Sequence, residues 1–296
     1  MPPKPPSQPR PKRLPKGKPM TIAACFDFDE GALLCADTKH TGGMTLYEPK
    51  LFRKEYPNGA KSVLAFSGST HYAKMAVQKC ETAIARLPNR PRVQEVADAI
   101  ESALVRLHRT HIDKHPDRSM EGGPDFWLLA ALWSPVDGLK TYSTSQTAIV
   151  PFDVYACIGS GEYLGHYIIK PRYDSPSEPL NRAVAVAVTA LQRIKSYDSG
   201  CGGYSQFVTM AKSGALSEVA VFDIAEKEQF THEFHQGAEA VYTKLLDFDA
   251  PDKDVEKVFE EFRTNVLLVR AKHQADRDER ERITQLLSRL RIKRVT

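Results

Sequence analysis

Several signatures are missing from this sequence, and each absence removes a class of protein. No apolar run approaches the roughly 20 residues that a membrane-spanning helix needs, so no membrane partner is expected. The opening stretch is basic, but no apolar run follows it before Asp27, Asp29 and Glu30, so a secretory signal is not expected either. The five cysteines (25, 35, 80, 157 and 201) form no CxxC pair, which points to reduced thiols and a cytoplasmic location rather than a disulfide framework. Gly-x-Ser-x-Gly does not occur, which excludes a nucleophile elbow. A charge excess is also lacking in the body of the chain. Residues 1–19 hold six of the 41 basic residues and no acid, leaving 35 basic against 37 acidic residues, a net of −2. Nucleic acid is therefore not an expected partner of the domain.

What is present is an ordinary globular composition, 42% hydrophobic and 26% charged, carried behind a segment of another kind. Residues 1–20 include eight prolines and almost no apolar side chains, and read as a disordered basic arm or propeptide. Order is expected from Thr21. Apolar runs at 21–28 and 31–36, separated by Asp29-Glu30-Gly31, read as a hairpin, and 62–66 as a further strand. Apolar residues recur at helical spacing from 69 to 87 and again from 93 to 111, with Pro116 to Pro124 as a loop. Strands at 126–133, 139–143 and 154–158, helices at 162–169 and 180–197, and strands at 205–211 and 217–223 complete the pattern. Strands and helices come in blocks, which argues for α+β: antiparallel sheets packed on one another with helices outside. The domain is expected over 21–235, followed by a helical C-terminal extension over 236–296.

Three local patterns invite a cofactor or metal reading and do not support one. Gly159-Ser160-Gly161 follows a strand and opens a helix, but the next glycine of a dinucleotide loop would fall at Leu164. His232 and His235 lack the spacing of a zincin and read as an exposed turn. His108, His111 and His115 share a helix face and read as solvated. No cofactor and no metal are expected.

Polar residues at strand ends carry the remaining signal. Asp37 follows an apolar strand, Lys50 precedes Leu51-Phe52, Ser160 lies between two glycines, and Asp198-Ser199-Gly200-Cys201-Gly202-Gly203 joins a helix to a strand. Each alone reads as turn chemistry. Together they resemble the proteasome β-subunit and HslV-like peptidases: Thr21 to Asp37 is sixteen residues, Ala36–Gly43 matches an A-D-[ST]-x-x-T-x-G segment, and Ile158–Gly161 and Asp198–Gly202 match later motifs.

The resemblance covers residues 21–222. It implies a four-layer αββα sandwich of the N-terminal-nucleophile hydrolases, assembly into a homo-oligomeric ring, a peptide or unfolded-protein substrate, and an ATPase unfoldase as partner. It also implies a threonine-type peptidase with Thr21 as nucleophile and Asp37, Lys50, Ser160, Asp198 and Cys201 in support. The backbone N–H of Ala65 is the expected oxyanion donor, and His40 and Val63 the expected pocket residues. Two departures bear on activity: Cys201 stands where the family has Ser, and Met20 precedes Thr21 in place of Gly. Unless Met20–Thr21 is cut, or translation starts at Met20 and the methionine is removed, the chain is expected to be a non-catalytic ring or scaffold subunit.

Overall fold

A computed structural model describes residues 21–42, 44–116 and 124–292 of the chain. The arm expected over 1–20 and most of the loop expected over 116–124 lie outside them. The strands are β1 (Ala23–Phe28), β2 (Gly31–Asp37), β3 (Lys39–Gly42), β4 (Met44–Tyr47), β5 (Leu51–Glu55), β6 (Lys61–Gly68), β7 (Phe126–Ser134), β8 (Gly138–Ser145), β9 (Ala148–Pro151), β10 (Tyr155–Ile158), β11 (Ser205–Ala211) and β12 (Leu216–Glu218). The helices are α1 (Thr70–Ala85), α2 (Val93–Leu107), α3 (Glu162–Ile169), α4 (Leu180–Tyr197), α5 (Val221–Leu245) and α6 (Asp252–Ile292). The chain divides into two compact units between Val219 and Ala220. Among the described residues no helix is long and apolar enough to cross a membrane.

The first unit is built on two five-stranded antiparallel sheets, ordered β10-β1-β2-β11-β12 and β5-β6-β7-β8-β9, with β3 and β4 as a separate ribbon. Strands β1 and β2 read as continuous apolar runs because both of their faces are covered. One core lies between the sheets, where Ala23, Cys25, Leu34 and Ala36 meet Val63, Ala65, Leu129 and Ala131. A second core lies under α1 and α2: Ala73, Val77, Cys80, Ile84, Val96 and Ile100 pack on Leu64, Phe66, Leu128 and Ala130. On the other sheet α4 packs against β1 and β2, and α3 against β10. Burying each large apolar side chain in these cores contributes about 1.5–3 kcal/mol.

Register sets the site. Ala23 pairs with Ala36 across the β1–β2 hairpin, so the residues just before β1 lie beside the last residue of β2. The hairpin thus turns a sixteen-residue separation into contact between Thr21 and Asp37.

The second unit is a helical hairpin of α5 and α6, tied near its open end by Arg280 to Asp223 and Glu226. Two sequence readings change here. The strand expected over 217–223 stops at Glu218, and α5 begins at Val221, so position 236 falls inside a helix. No proline or glycine interrupts residues 221–236, and Val221-Phe222 mimics a strand only locally. For the same reason His232 and His235 lie in α5, not in a turn.

Candidate active site

Thr21 stands immediately before β1 and is only 4% exposed. Its Oγ1 donates to Asp37 Oδ1 at 2.7 Å. Lys50, the residue before β5, brings a fully buried ammonium against the same atoms. Its Nζ donates to Thr21 Oγ1, to Asp37 Oδ1 at 2.6 Å and to the Lys39 carbonyl at 2.5 Å. All three Lys50 N–H groups thereby have acceptors, the condition under which a buried charge is tolerated. Asp37 is equally saturated. Besides Thr21 and Lys50 it accepts the Ile22 N–H at 3.2 Å on Oδ1 and the Gly202 N–H at 2.8 Å on Oδ2. Burial pushes the Lys50 pKa down, and the Asp37 charge opposes that shift.

A second chain of hydrogen bonds holds the backbone nitrogen of Thr21. Its N–H donates to Ser160 Oγ at 3.2 Å, and Ser160 Oγ donates to Asp198 Oδ2 at 2.8 Å. Cys201 Sγ donates to that same oxygen at 3.5 Å. Burial first, then the charges of Asp37 and Asp198, pushes the Cys201 thiol far up, so it stays neutral and acts as a donor. Asp198 Oδ1 is fixed by the Gly200 N–H at 2.9 Å. Ser160 is exposed, so solvent reaches the cluster from its side.

The glycines around Ser160 have a steric cause. A Cβ on Gly159, which has φ of 110°, would stand 2.2 Å from the Thr21 carbonyl oxygen. The Gly161 N–H donates to that carbonyl at 3.3 Å. The segment that resembles a nucleotide loop is a cradle for the backbone of Thr21.

Six of the nine residues singled out in the sequence therefore meet in one hydrogen-bonded cluster: Thr21, Asp37, Lys50, Ser160, Asp198 and Cys201. The other three do not join it. Val63 and Ala65 are fully buried in the core between the sheets. Ser69 N–H donates to the Asp125 carbonyl on the β7 side, and strand alternation aims the Ala65 N–H the same way, into the β6–β7 ladder. That group is engaged in the sheet and is not an oxyanion donor. By the same alternation the Gly68 N–H faces the β5 side, beyond Leu51 where β5 begins. With φ of 97°, Gly68 is where the chain leaves the sheet for α1. His40 on β3 is 8% exposed; its ring nitrogens meet Thr70 Oγ1 at 2.9 Å and the Glu48 carbonyl at 3.2 Å. Burial and then the Lys50 charge lower its pKa, which keeps the imidazole neutral.

Sequence reasoning missed Lys39, Gly202 and Gln206. Gln206 Oε1 accepts the Lys50 backbone N–H at 2.9 Å. Gly202 and Lys39 lay inside segments already singled out, the Asp198–Gly203 turn and Ala36–Gly43, whereas Gln206 carried no signal.

The fold is proteasome-like. Solved structures that share it include Anbu (ancestral β-subunit) proteins. That of Yersinia bercovieri has a TM-score of 0.64 at 15% identity, over 76% of this chain and 97% of that one. The Anbu (Gly-1) mutant from Hyphomicrobium sp. strain MC1 has a TM-score of 0.63 at 14% identity, over 77% of this chain and 100% of that one. The helical assembly of the Anbu complex from Pseudomonas aeruginosa has a TM-score of 0.62 at 14% identity, over 74% of this chain and 96% of that one. No protein-family model and no curated protein matches the chain. The assignment to proteasome β-subunits and HslV-like peptidases is thereby corrected, because Anbu is proteasome-like in fold but a distinct family. The segments that carried the resemblance build the cluster around Thr21.

Proposed function

We propose that the chain is a threonine-type amide hydrolase of the N-terminal-nucleophile class, with Thr21 Oγ1 as nucleophile, and that its two sheets and two helix pairs form the four-layer αββα sandwich of that class. The observation that carries this reading is the double tether of Thr21. Its hydroxyl is bound to the Lys50–Asp37 ion pair and its nitrogen to Ser160–Asp198.

Each tether has a chemical use. A threonine hydroxyl is a weak nucleophile until a base removes its proton. The α-amine of a chain beginning at Thr21, with an ordinary pKa of about 7.7–8.0, can take that proton near neutral pH. Ser160 and Asp198 orient this amine. Lys50 stabilises negative charge developing on Oγ1, and Asp37 keeps the ammonium in place. Attack on a peptide carbonyl gives an acyl-enzyme and releases the amine half of the substrate; water then cleaves the ester. The Gly68 N–H is the donor we assign to the oxyanion. Association of copies into a homo-oligomer belongs to the same reading, supported by the helical assembly of the Pseudomonas aeruginosa relative.

An amide nitrogen has no basic lone pair, so a chain that keeps Met20 has the same cluster and no base. N-terminal sequencing and intact mass of the natively expressed protein separate the two states. A chain beginning at Thr21 is expected; a homogeneous chain beginning at Met1 overturns the catalytic reading in favour of a scaffold.

A further inference from the structure

The α5–α6 hairpin carries a second polar cluster that the chemistry at Thr21 does not use. Glu226 on α5 lies beside His273 and Asp276 on α6. His273 and Asp276 are three residues apart and share a helix face. One ligand atom from each of the three side chains lies within 4.8 Å of the others. All three residues are half-buried. His273 Nδ1 is 3.9 Å from Glu226 Oε1, and its ring stands edge-on to Phe230 at 5.9 Å between centroids.

Arg280 determines what this cluster can bind. Its guanidinium donates to Glu226 Oε2 and to Asp223 Oδ1, both at 2.6 Å, and its Nε to the Asp276 carbonyl at 3.2 Å. Asp223 offsets the guanidinium charge. The Glu226 arm fixes that carboxylate with Oε1 left toward His273, as outer partners orient metal ligands. Three carboxylates stand against one guanidinium here, with the His273 imidazole beside them. An ionic clasp between two helices needs only Arg280 and its two acids; His273 and Asp276 are donors beyond that need.

We propose that Glu226, His273 and Asp276 form a binding site for a divalent transition metal of the zinc class, which clips α5 to α6. One imidazole nitrogen and two carboxylate oxygens suit Zn²⁺, with water completing the shell. Donors around such an ion, with bonds of about 2.0–2.2 Å, stand about 3.0–3.5 Å apart. Closure therefore draws the side chains in by about an ångström, a rotamer adjustment that leaves both helices in place.

The test uses the full chain, stripped with a chelator and titrated with Zn²⁺ against a chromogenic competitor. One zinc per chain is expected, with a rise in Tm. His273→Gln and Asp276→Asn should each weaken binding at least about tenfold, at unchanged helix content. Zinc should also protect His273 of the wild-type chain from diethylpyrocarbonate, a readout that requires no variant. Failure to take up zinc, uptake insensitive to both substitutions, or an unprotected His273 overturns the proposal.

Discussion

Thr21 Oγ1 and Asp37 Oδ1 lie 2.7 Å apart, and Lys50 Nζ reaches both atoms. The contact follows from a hairpin register that sets Ala23 opposite Ala36. The nucleophile proposed here thus sits on a buried ion pair, and the three residues stand at the ends of three different strands.

Breaking that pair should disable the site and strain the fold. Lys50→Met leaves Asp37 buried and uncompensated, at a cost of about 3–5 kcal/mol. Asp37→Asn should cost a similar amount, because it leaves Lys50 buried and uncompensated and keeps an acceptor oxygen on one side only, so that its NH2 meets either the Gly202 N–H or the donors on the Ile22 side. The double variant should lose less stability than the two singles combined, since the charge is removed from both sides. Denaturant unfolding of the four proteins measures this coupling. Turnover of a chain beginning at Thr21 should fall at least about a hundredfold with Lys50→Met.

Gly159→Ala tests the cradle. A methyl group there meets the Thr21 carbonyl oxygen at 2.2 Å, on a backbone with φ of 110°. Thr21 must shift, so covalent labelling of Thr21 and turnover should be lost together, while α1 and α2, which pack on the other sheet, keep their hydrogen-exchange protection. Full activity in this variant would remove the loop from the positioning of Thr21.

Cys201 is expected to behave as a donor and not as a nucleophile. Its raised pKa leaves no thiolate at neutral pH, so iodoacetamide should leave it unmodified in the folded chain at pH 8. Cys201→Ser supplies a stronger donor to Asp198 and should retain turnover; Cys201→Ala should lower it several-fold. Rapid alkylation of Cys201 in the native chain would contradict this assignment.

The far end of β1 sets a pH dependence of stability. Burial pushes the Asp27 carboxyl up to about 6, with the Asp153 charge adding to the shift and the 2.9 Å bond from Thr141 opposing it. The folded state then holds this proton more tightly than the unfolded chain. The contribution is therefore fully present below about pH 4 and is lost as pH rises toward 6. At neutral pH the ionised group costs at most about 3 kcal/mol. Asp27→Asn should raise Tm at pH 7.5, with the gain shrinking toward pH 4. A constant difference across that range would show that Asp27 does not titrate in this window.

Much of the site was legible because each residue stands at a strand end marked by its neighbours. Asp37 closes an apolar run, Ser160 sits between glycines, and Asp198 opens a glycine-rich turn. The oxyanion donor proposed here was not legible. Whether Ala65 or Gly68 presents a free N–H depends on the register of β6 against β7, which no local pattern encodes. Helix α5 was misread at its start because Val221-Phe222 has strand propensity, and the hairpin with α6 overrides it. The Glu226–His273–Asp276 cluster was invisible for a similar reason, since its members come together only through the pairing of two helices. The family was misjudged because short motifs report local geometry around Thr21, whereas the likeness to Anbu proteins rests on the whole fold.

The most direct test is covalent labelling by an electrophile selective for N-terminal threonine, read by peptide mass spectrometry on the chain beginning at Thr21. The account predicts a single adduct on Thr21, absent from Thr21→Ala and strongly reduced in Lys50→Met. An unlabelled Thr21 in the processed chain, or equal labelling of Thr21→Ala, would contradict it.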